Sequence, residues 1–202
     1  SYAVVLLHSH RSGAHERAVG QWIHAHMGES VPVSLGHHVS PSLGYLARIE
    51  TTLVDAAITT ILKLAMQADE IAPTALAIRS DGSLCPAHQL GAPDAILSGP
   101  AGGVLAVSAV AQQAGFTRAV GLDMGGTSTD VCRIDVGHLP RRQGHVEVAG
   151  VRVSRPMLEV ETIAAGGGSV LTNDGLRLKV GPRSAGANPG PQCYGRGGPP
   201  TL

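Results

Sequence analysis

The chain has 202 residues, with 43% hydrophobic and 2% aromatic side chains, so its core must be built from Val, Leu, Ile and Ala. Lys plus Arg and Asp plus Glu number 15 each, and this zero formal charge argues against nucleic acid as a partner, because phosphate neutralisation needs a basic excess. Three widely spaced cysteines, Cys85, Cys132 and Cys193, with no CxxC pair, read as free thiols of a reducing, cytoplasmic compartment rather than a zinc site.

Along the chain, Tyr2 to Leu7 is a short apolar strand, and Ala14 to Met27 is a helix with Ala14, Ala18, Trp22 and Ala25 near helical spacing. Val31 to Leu35 predicts a second strand, and Ser40-Pro41 stops the chain. Tyr45 to Ala68 is the longest helix, with Leu46, Ile49, Leu53, Ala57, Ile61 and Leu64 as one apolar stripe. Thr74 to Ile78 is a third strand, closed by the turn Ser80-Asp81-Gly82. Strands and helices that alternate in this way predict α/β layering.

Ser98-Gly99-Pro100 precedes a helix from Ala101 to Ala114, with Ser98 as an N-cap or part of a nearby turn and Gly115 as C-cap. The second half is strand-rich: Ala119 to Leu122, Val131 to Val136, Val146 to Val148, Val151 to Val153, Leu158 to Ile163 and Leu176 to Val180. Residues 181–200 are Gly- and Pro-rich and read as irregular. The layout divides into an α/β section with the long helix over 1–95 and a lobe over 96–202 with the Gly/Pro-rich segment at its end. No apolar run reaches the roughly 18 residues of a membrane span, and no signal peptide is visible, so no membrane partner is expected.

The chemistry concentrates in Asp123-Met124-Gly125-Gly126-Thr127-Ser128-Thr129-Asp130. An apolar strand runs into a Gly-Gly turn and a second strand leaves it. Glycines put no Cβ in the way, so successive amides can converge on an anion. Thr127 and Ser128 add hydroxyl donors. Asp123, at the strand end, is placed to hold Mg²⁺ or its bound water beside phosphates, and Asp130 orients a second water or caps the turn. A plain hairpin also favours glycine, but it does not require two acids and three hydroxyls around the glycines. This is not a Walker-type loop, which ends in Gly-Lys-Ser/Thr.

Gly166-Gly167-Gly168 reads either as a tight bend between strands or as a second loop near the site. Seven histidines lie between His8 and His38. His24 and His26 point to different helical faces, and no pair has the i, i+4 spacing of a helical zinc site, so solvated or hydrogen-bonded histidines are the expectation. Cys193, in the glycine-rich segment, is the most reactive-looking thiol. Arg79 and Asp81 sit at a strand end, where α/β sheets often face a cleft.

The string DMGGTSTDV resembles the second phosphate motif of the actin-like ATPase superfamily. The order of LLHSHRSGAHER, VSPSLGYLARIETTLVDAAI, IRSDGSL, LSGPAGG, GLDMGGTSTDV, TIAAGGGSV and VGPRSAGANPGPQCYGRGGP is similar to the hydantoinase A/oxoprolinase family over nearly the whole chain. That resemblance implies an α/β fold with mixed sheets and flanking helices, part of an actin-like (ribonuclease H-like) ATPase. It implies ATP and Mg²⁺ as cofactors and hydrolysis of a cyclic amide of the hydantoin or 5-oxoproline type through phosphorylation of the amide oxygen. Asp123 and Asp130 would be catalytic, with Asp123 on the metal. Gly125, Gly126, Thr127, Ser128, Gly166, Gly167 and Gly168 would hold the nucleotide.

Within the family, a ketone-carboxylase subunit and a non-catalytic assembly module are the alternatives. A second large subunit or a homo-oligomer is the implied partner. The chain is expected to be the middle section of a longer subunit that binds ATP weakly and turns nothing over by itself.

Overall fold

A computed structural model describes residues 1–40, 42–68, 74–138, 140–148 and 150–202. In chain order its elements are β1 (Tyr2–Val4), α1 (Ala14–Met27), β2 (Val33–Leu35), α2 (Gly36–Val39), α3 (Tyr45–Ala68), β3 (Leu76–Ile78), β4 (Leu84–Pro86), α4 (Ala92–Ala95) and α5 (Ser98–Gln113). There follow β5 (Arg118–Met124), β6 (Thr129–Asp135), β7 (Arg142–Gln143), β8 (Val146–Val148), β9 (Val151–Val153), β10 (Met157–Leu158), β11 (Glu161–Ile163), β12 (Ser169–Asn173) and β13 (Leu178–Ser184).

The chain forms two compact units. One comprises Ser1–Gly102 with Arg141–Leu158, the other Gly103–Pro140 with Glu159–Leu202. In the first unit, β1 and β2 pair in parallel through the crossover helix α1. The hairpins β3–β4 and β8–β9 are antiparallel, and so is β10 with β7.

α3 is packed in reverse of its sequence pattern. Leu46, Leu53, Ile61 and Leu64 are exposed, whereas Arg48, Thr51 and Thr52 are almost completely buried. Most of the buried polar atoms carry their own partners, Arg48 Nε excepted, which makes this tolerable. Arg48 donates to the carbonyls of Ser42, Leu43 and Leu6, at 2.9, 3.3 and 3.1 Å. Thr51 and Thr52 return their hydroxyls to the carbonyls of Ala47 and Arg48, four residues back. Thr51 Oγ1 also accepts the amide of Ser154, which carries segment 141–158 onto this helix.

Two more buried charges hold the first unit. Glu16 accepts the amides of Leu6 and His37 and lies 2.6 Å from His37 Nδ1, bridging the segment after β1 with α1 and α2. Arg155 grips Asp94 through Nε and Nη2 and donates Nη1 to the carbonyl of Val39.

The second unit has a three-stranded sheet ordered β11-β6-β5 and the hairpin β12–β13. Both hairpin pairings are antiparallel, whereas β1–β2 is parallel, so the molecule combines parallel and antiparallel sheets. The C-terminal Gly/Pro-rich segment is tied along β12: Leu171 donates to Pro200 at 3.0 Å and Leu202 donates to Ser169 at 3.1 Å.

Four details differ from the sequence expectation. Leu158 to Ile163 is two strands, β10 and β11, with partners in different units, because an apolar run carries no label for its pairing partner. β4 and β12 lacked enough alternation to be recognised. β13 continues to Ser184, into residues expected to be irregular. Ser98 opens α5 but is not a cap: its hydroxyl donates to the carbonyl of Ala95 at 2.9 Å. Ser40 is described, but its neighbour Pro41 lies outside the described residues, as do the residues before Thr74 at 69–73.

Candidate phosphate-binding site

The β5–β6 hairpin is registered so that Met124 pairs with Thr129 and Asp123 with Asp130. The turn between them is residues 125–128, closed by a hydrogen bond from the Gly125 amide to the Ser128 carbonyl, 2.9 Å. Residues 122–127 are exposed, with Ser128 half-buried and Thr129 buried at their edge.

What distinguishes this turn from an ordinary hairpin is the loop beneath it. The amide of Gly167 donates to the Gly125 carbonyl at 2.9 Å, and the amide of Gly168 donates to the Gly126 carbonyl at 2.7 Å. Both peptide bonds are trans, so the N–H on the far side of each peptide points opposite to its carbonyl. The loop takes the Gly125 and Gly126 carbonyls and makes no use of the amides of Gly126 and Thr127. Among the described residues, neither these two amides nor that of Ser128 has an acceptor, and the hydroxyls of Thr127 and Ser128 have no partner. Adjacent unpaired donors on a rigid turn form an anion nest.

Only glycine fits where the loop meets the turn. A Cβ on Gly166 would lie 2.6 Å from the Gly125 carbonyl oxygen and 2.7 Å from the amide nitrogens of Thr127 and Ser128. A Cβ on Gly168 would come within 2.8 Å of the Gly126 carbonyl oxygen. Gly167, by contrast, has room for one, the nearest atom being 3.9 Å away.

The loop is itself fixed. Gly166 donates to Ser169 Oγ at 2.9 Å, Ser169 donates back to the Gly166 carbonyl at 2.8 Å, and Ala185 donates to the Gly168 carbonyl at 2.7 Å. The structure thus brings Gly125, Gly126, Thr127 and Ser128 together with Gly166, Gly167 and Gly168, although about forty residues separate them in the chain.

Asp123 and Asp130 are cross-strand neighbours and therefore share one face of the sheet. Asp123 is exposed and without a partner among the described residues, while Asp130 Oδ1 accepts the Thr162 hydroxyl at 2.7 Å. Two carboxylates directly opposite one another repel, and a cation between them relieves that repulsion. Mg²⁺ takes one or two carboxylates and leaves its other positions to water and substrate phosphates, so this pair suits it. No cluster of three or more His, Cys, Asp or Glu among the described residues offers a larger ligand set.

Sequence reasoning missed Thr162 and Gly121 as supporting residues, and the bracing contacts that Thr129 and Ser169 make. Thr129 donates its hydroxyl to the Ala165 carbonyl at 2.6 Å and so pins the turn to the loop. Thr162 holds Asp130, and Ser169 caps the loop. Gly121 is also required: a Cβ there would meet Cys132 Sγ at 2.6 Å and Val107 Cγ2 at 3.0 Å. All four lie inside or beside the glycine strings, which was the only signal available.

The hairpin, the braced Gly-Gly turn and the paired acids make a candidate phosphate-binding turn on an α/β scaffold. The hydantoinase/oxoprolinase family model matches residues 48–202, and the chain belongs to that family. It is 38% identical over 209 residues to 5-oxoprolinase of Saccharomyces cerevisiae, covering 100% of this chain and 16% of that protein.

Among solved structures, nucleotide-free acetone carboxylase superposes with a TM-score of 0.73 at 25% identity, over 91% of this chain and 28% of its own. ATP-dependent caprolactamase from Pseudomonas jessenii superposes with a TM-score of 0.71 at 36% identity, over 99% and 30%. The fold is therefore a mixed α/β part of an ATPase-like fold, and the chain spans about a sixth of the length of the oxoprolinase it matches. No helix among the described residues is long and apolar enough to cross a membrane.

Proposed function

We propose that this chain supplies the phosphate-binding turn of a larger enzyme subunit that opens a cyclic amide of the hydantoin or 5-oxoproline type at the expense of ATP. The observation that carries this reading is the bracing of the turn: its two glycine carbonyls are taken by the Gly166–Gly168 loop, and the amides of Gly126 and Thr127 have no acceptor among the described residues.

ATP would supply the phosphoryl group, and Mg²⁺ would neutralise the charge on its phosphates. The Gly126, Thr127 and Ser128 amides and the Thr127 and Ser128 hydroxyls would cradle phosphate oxygens. Asp123 would hold the metal or its water, and Asp130, oriented by Thr162, would fix a second water. A lactam carbonyl is a poor electrophile. Transfer of the phosphoryl group to its oxygen would activate the carbon, water would add there, the ring C–N bond would break as the nitrogen takes up a proton to leave an acyl phosphate, and a second water would release phosphate from that acyl group. The contribution of these residues is positioning and charge neutralisation.

The test is ATP hydrolysis by the full-length subunit with any partner subunit, with and without hydantoin or 5-oxoproline. Stimulation by either ring, abolished in Asp123→Asn, supports the reading. ATP turnover that no cyclic amide stimulates removes it.

A second reading is favoured by the superposition on acetone carboxylase: the same turn would serve phosphorylation of a ketone enol or of bicarbonate. Stimulation of ATP hydrolysis by a ketone with bicarbonate, and not by cyclic amides, selects it. The assembly with a second large subunit or with further copies is part of the same proposal.

A further inference from the structure

The first unit contains a partly open cavity of about 550 Å³ far in sequence from the phosphate turn. Its wall is one face of α3, the end of β3 and the segment leading into α4. Four basic side chains line it: His38, Lys63, Arg79 and His88. No Asp or Glu is among its described lining residues.

Among the described residues, the two acids nearest Arg79 and the segment into α4 have hydrogen-bond partners of their own. Asp81 accepts the amide and hydroxyl of Ser83 at 2.9 and 2.6 Å, and Asp94 is held by Arg155. Arg79 Nε is shut off from solvent and has no acceptor among the described residues. Two permanent cations and two imidazoles lining one cleft, with no carboxylate among its described lining residues, are arranged for an anion.

The rest of the lining fixes the kind of anion. Leu62, Met66 and Leu90 give the cavity an apolar wall. Its volume lies in the range of small-molecule sites and far exceeds that of a free phosphate. Guanidinium and ammonium groups bind carboxylates through charge-assisted hydrogen bonds, which strengthen as water is excluded.

We propose that this cavity binds a small monocarboxylate with a short hydrocarbon body, its carboxylate held by Arg79 and Lys63 and its body against Leu62, Met66 and Leu90. The inference is independent of the phosphate-turn reading, since none of these residues belongs to that turn.

The methionine methyl groups provide the test. The 202-residue chain, labelled with ¹³C at Met ε-methyl, is titrated with pentanoate, with neutral pentanamide and with inorganic phosphate. Expected is a saturable shift of the Met66 methyl with pentanoate, with a millimolar Kd, and none with pentanamide. Met27 and Met157 should stay unmoved and report an intact fold.

Arg79→Gln should weaken pentanoate binding roughly tenfold. If Arg79→Gln loses the Met157 signal, and hence its fold, Lys63→Gln at an exposed position takes its place with the same expectation. The proposal is overturned if Met66 does not move, if pentanamide moves it as pentanoate does, if phosphate alone binds, or if the folded variant binds pentanoate unchanged.

Discussion

Asp123 and Asp130 stand directly opposite each other across the β5–β6 ladder, and the Thr162 hydroxyl on β11 holds Asp130 at 2.7 Å. Like charges in this relationship destabilise a sheet, by roughly a few tenths of a kcal/mol at an exposed pair. Asp123→Asn should therefore slightly raise the urea midpoint of the metal-free chain while reducing ATP hydrolysis by the full-length subunit about 100-fold or more. A variant that loses stability and keeps its ATPase activity would remove the acid from the site.

The glycine loop gives a paired contrast. Gly166→Ala places its methyl 2.6–2.7 Å from three backbone atoms that cannot yield without moving the turn, so it should cost roughly 2 kcal/mol and abolish nucleotide binding. Gly167→Ala, with 3.9 Å of room, should be tolerated within about 1 kcal/mol. Chemical denaturation and nucleotide titration of both variants check this. Equal effects of the two would mean that the loop does not brace the turn as described.

Glu16 predicts how the first unit responds to acid. Burial raises its pKa, but the Ser9 hydroxyl, the His37 and Leu6 amides and the His37 ring outweigh that, so the carboxyl titrates below its usual range. Ser9 contributes by proximity, since its hydroxyl lies outside hydrogen-bond geometry. A depressed folded-state pKa means that this stability is fully present above the unfolded value, about 4.3, and is lost as pH falls through the lower folded one. Thermal melts should show Glu16→Gln destabilised at pH 7 and less sensitive to acid than the parent below about pH 4.3. A variant whose loss of stability parallels the parent's at every pH would show that Glu16 is not the linked group.

The three thiols should separate by access. Cys193 is exposed, Cys132 is half-buried against Gly121 with its pKa pushed up by burial, and Cys85 is buried. Alkylation followed by mass spectrometry at neutral pH should modify Cys193 first and Cys85 last, because the thiolate is the reacting form and must be reached. Labelling of Cys85 before Cys193 would contradict the packing of the β3–β4 hairpin.

The α/β class, both long helices of the first half, the glycine turn between two strands and the family were legible in the chain alone. Each depends on local periodicity or on contiguous strings such as DMGGTSTD, which encode backbone freedom and functional groups within a few residues.

The tertiary structure decided which face of α3 is buried. A stripe of leucines marks an amphipathic helix, but Arg48, Thr51 and Thr52 take the interior because carbonyls up to 42 residues away satisfy them. It also decided that residues 141–158 return to the first unit, and that Gly166–Gly168 lie under Gly125–Gly126. Those outcomes are set by hydrogen bonds and steric fits between residues distant in the chain, and no periodicity in a single strand or helix specifies a distant partner.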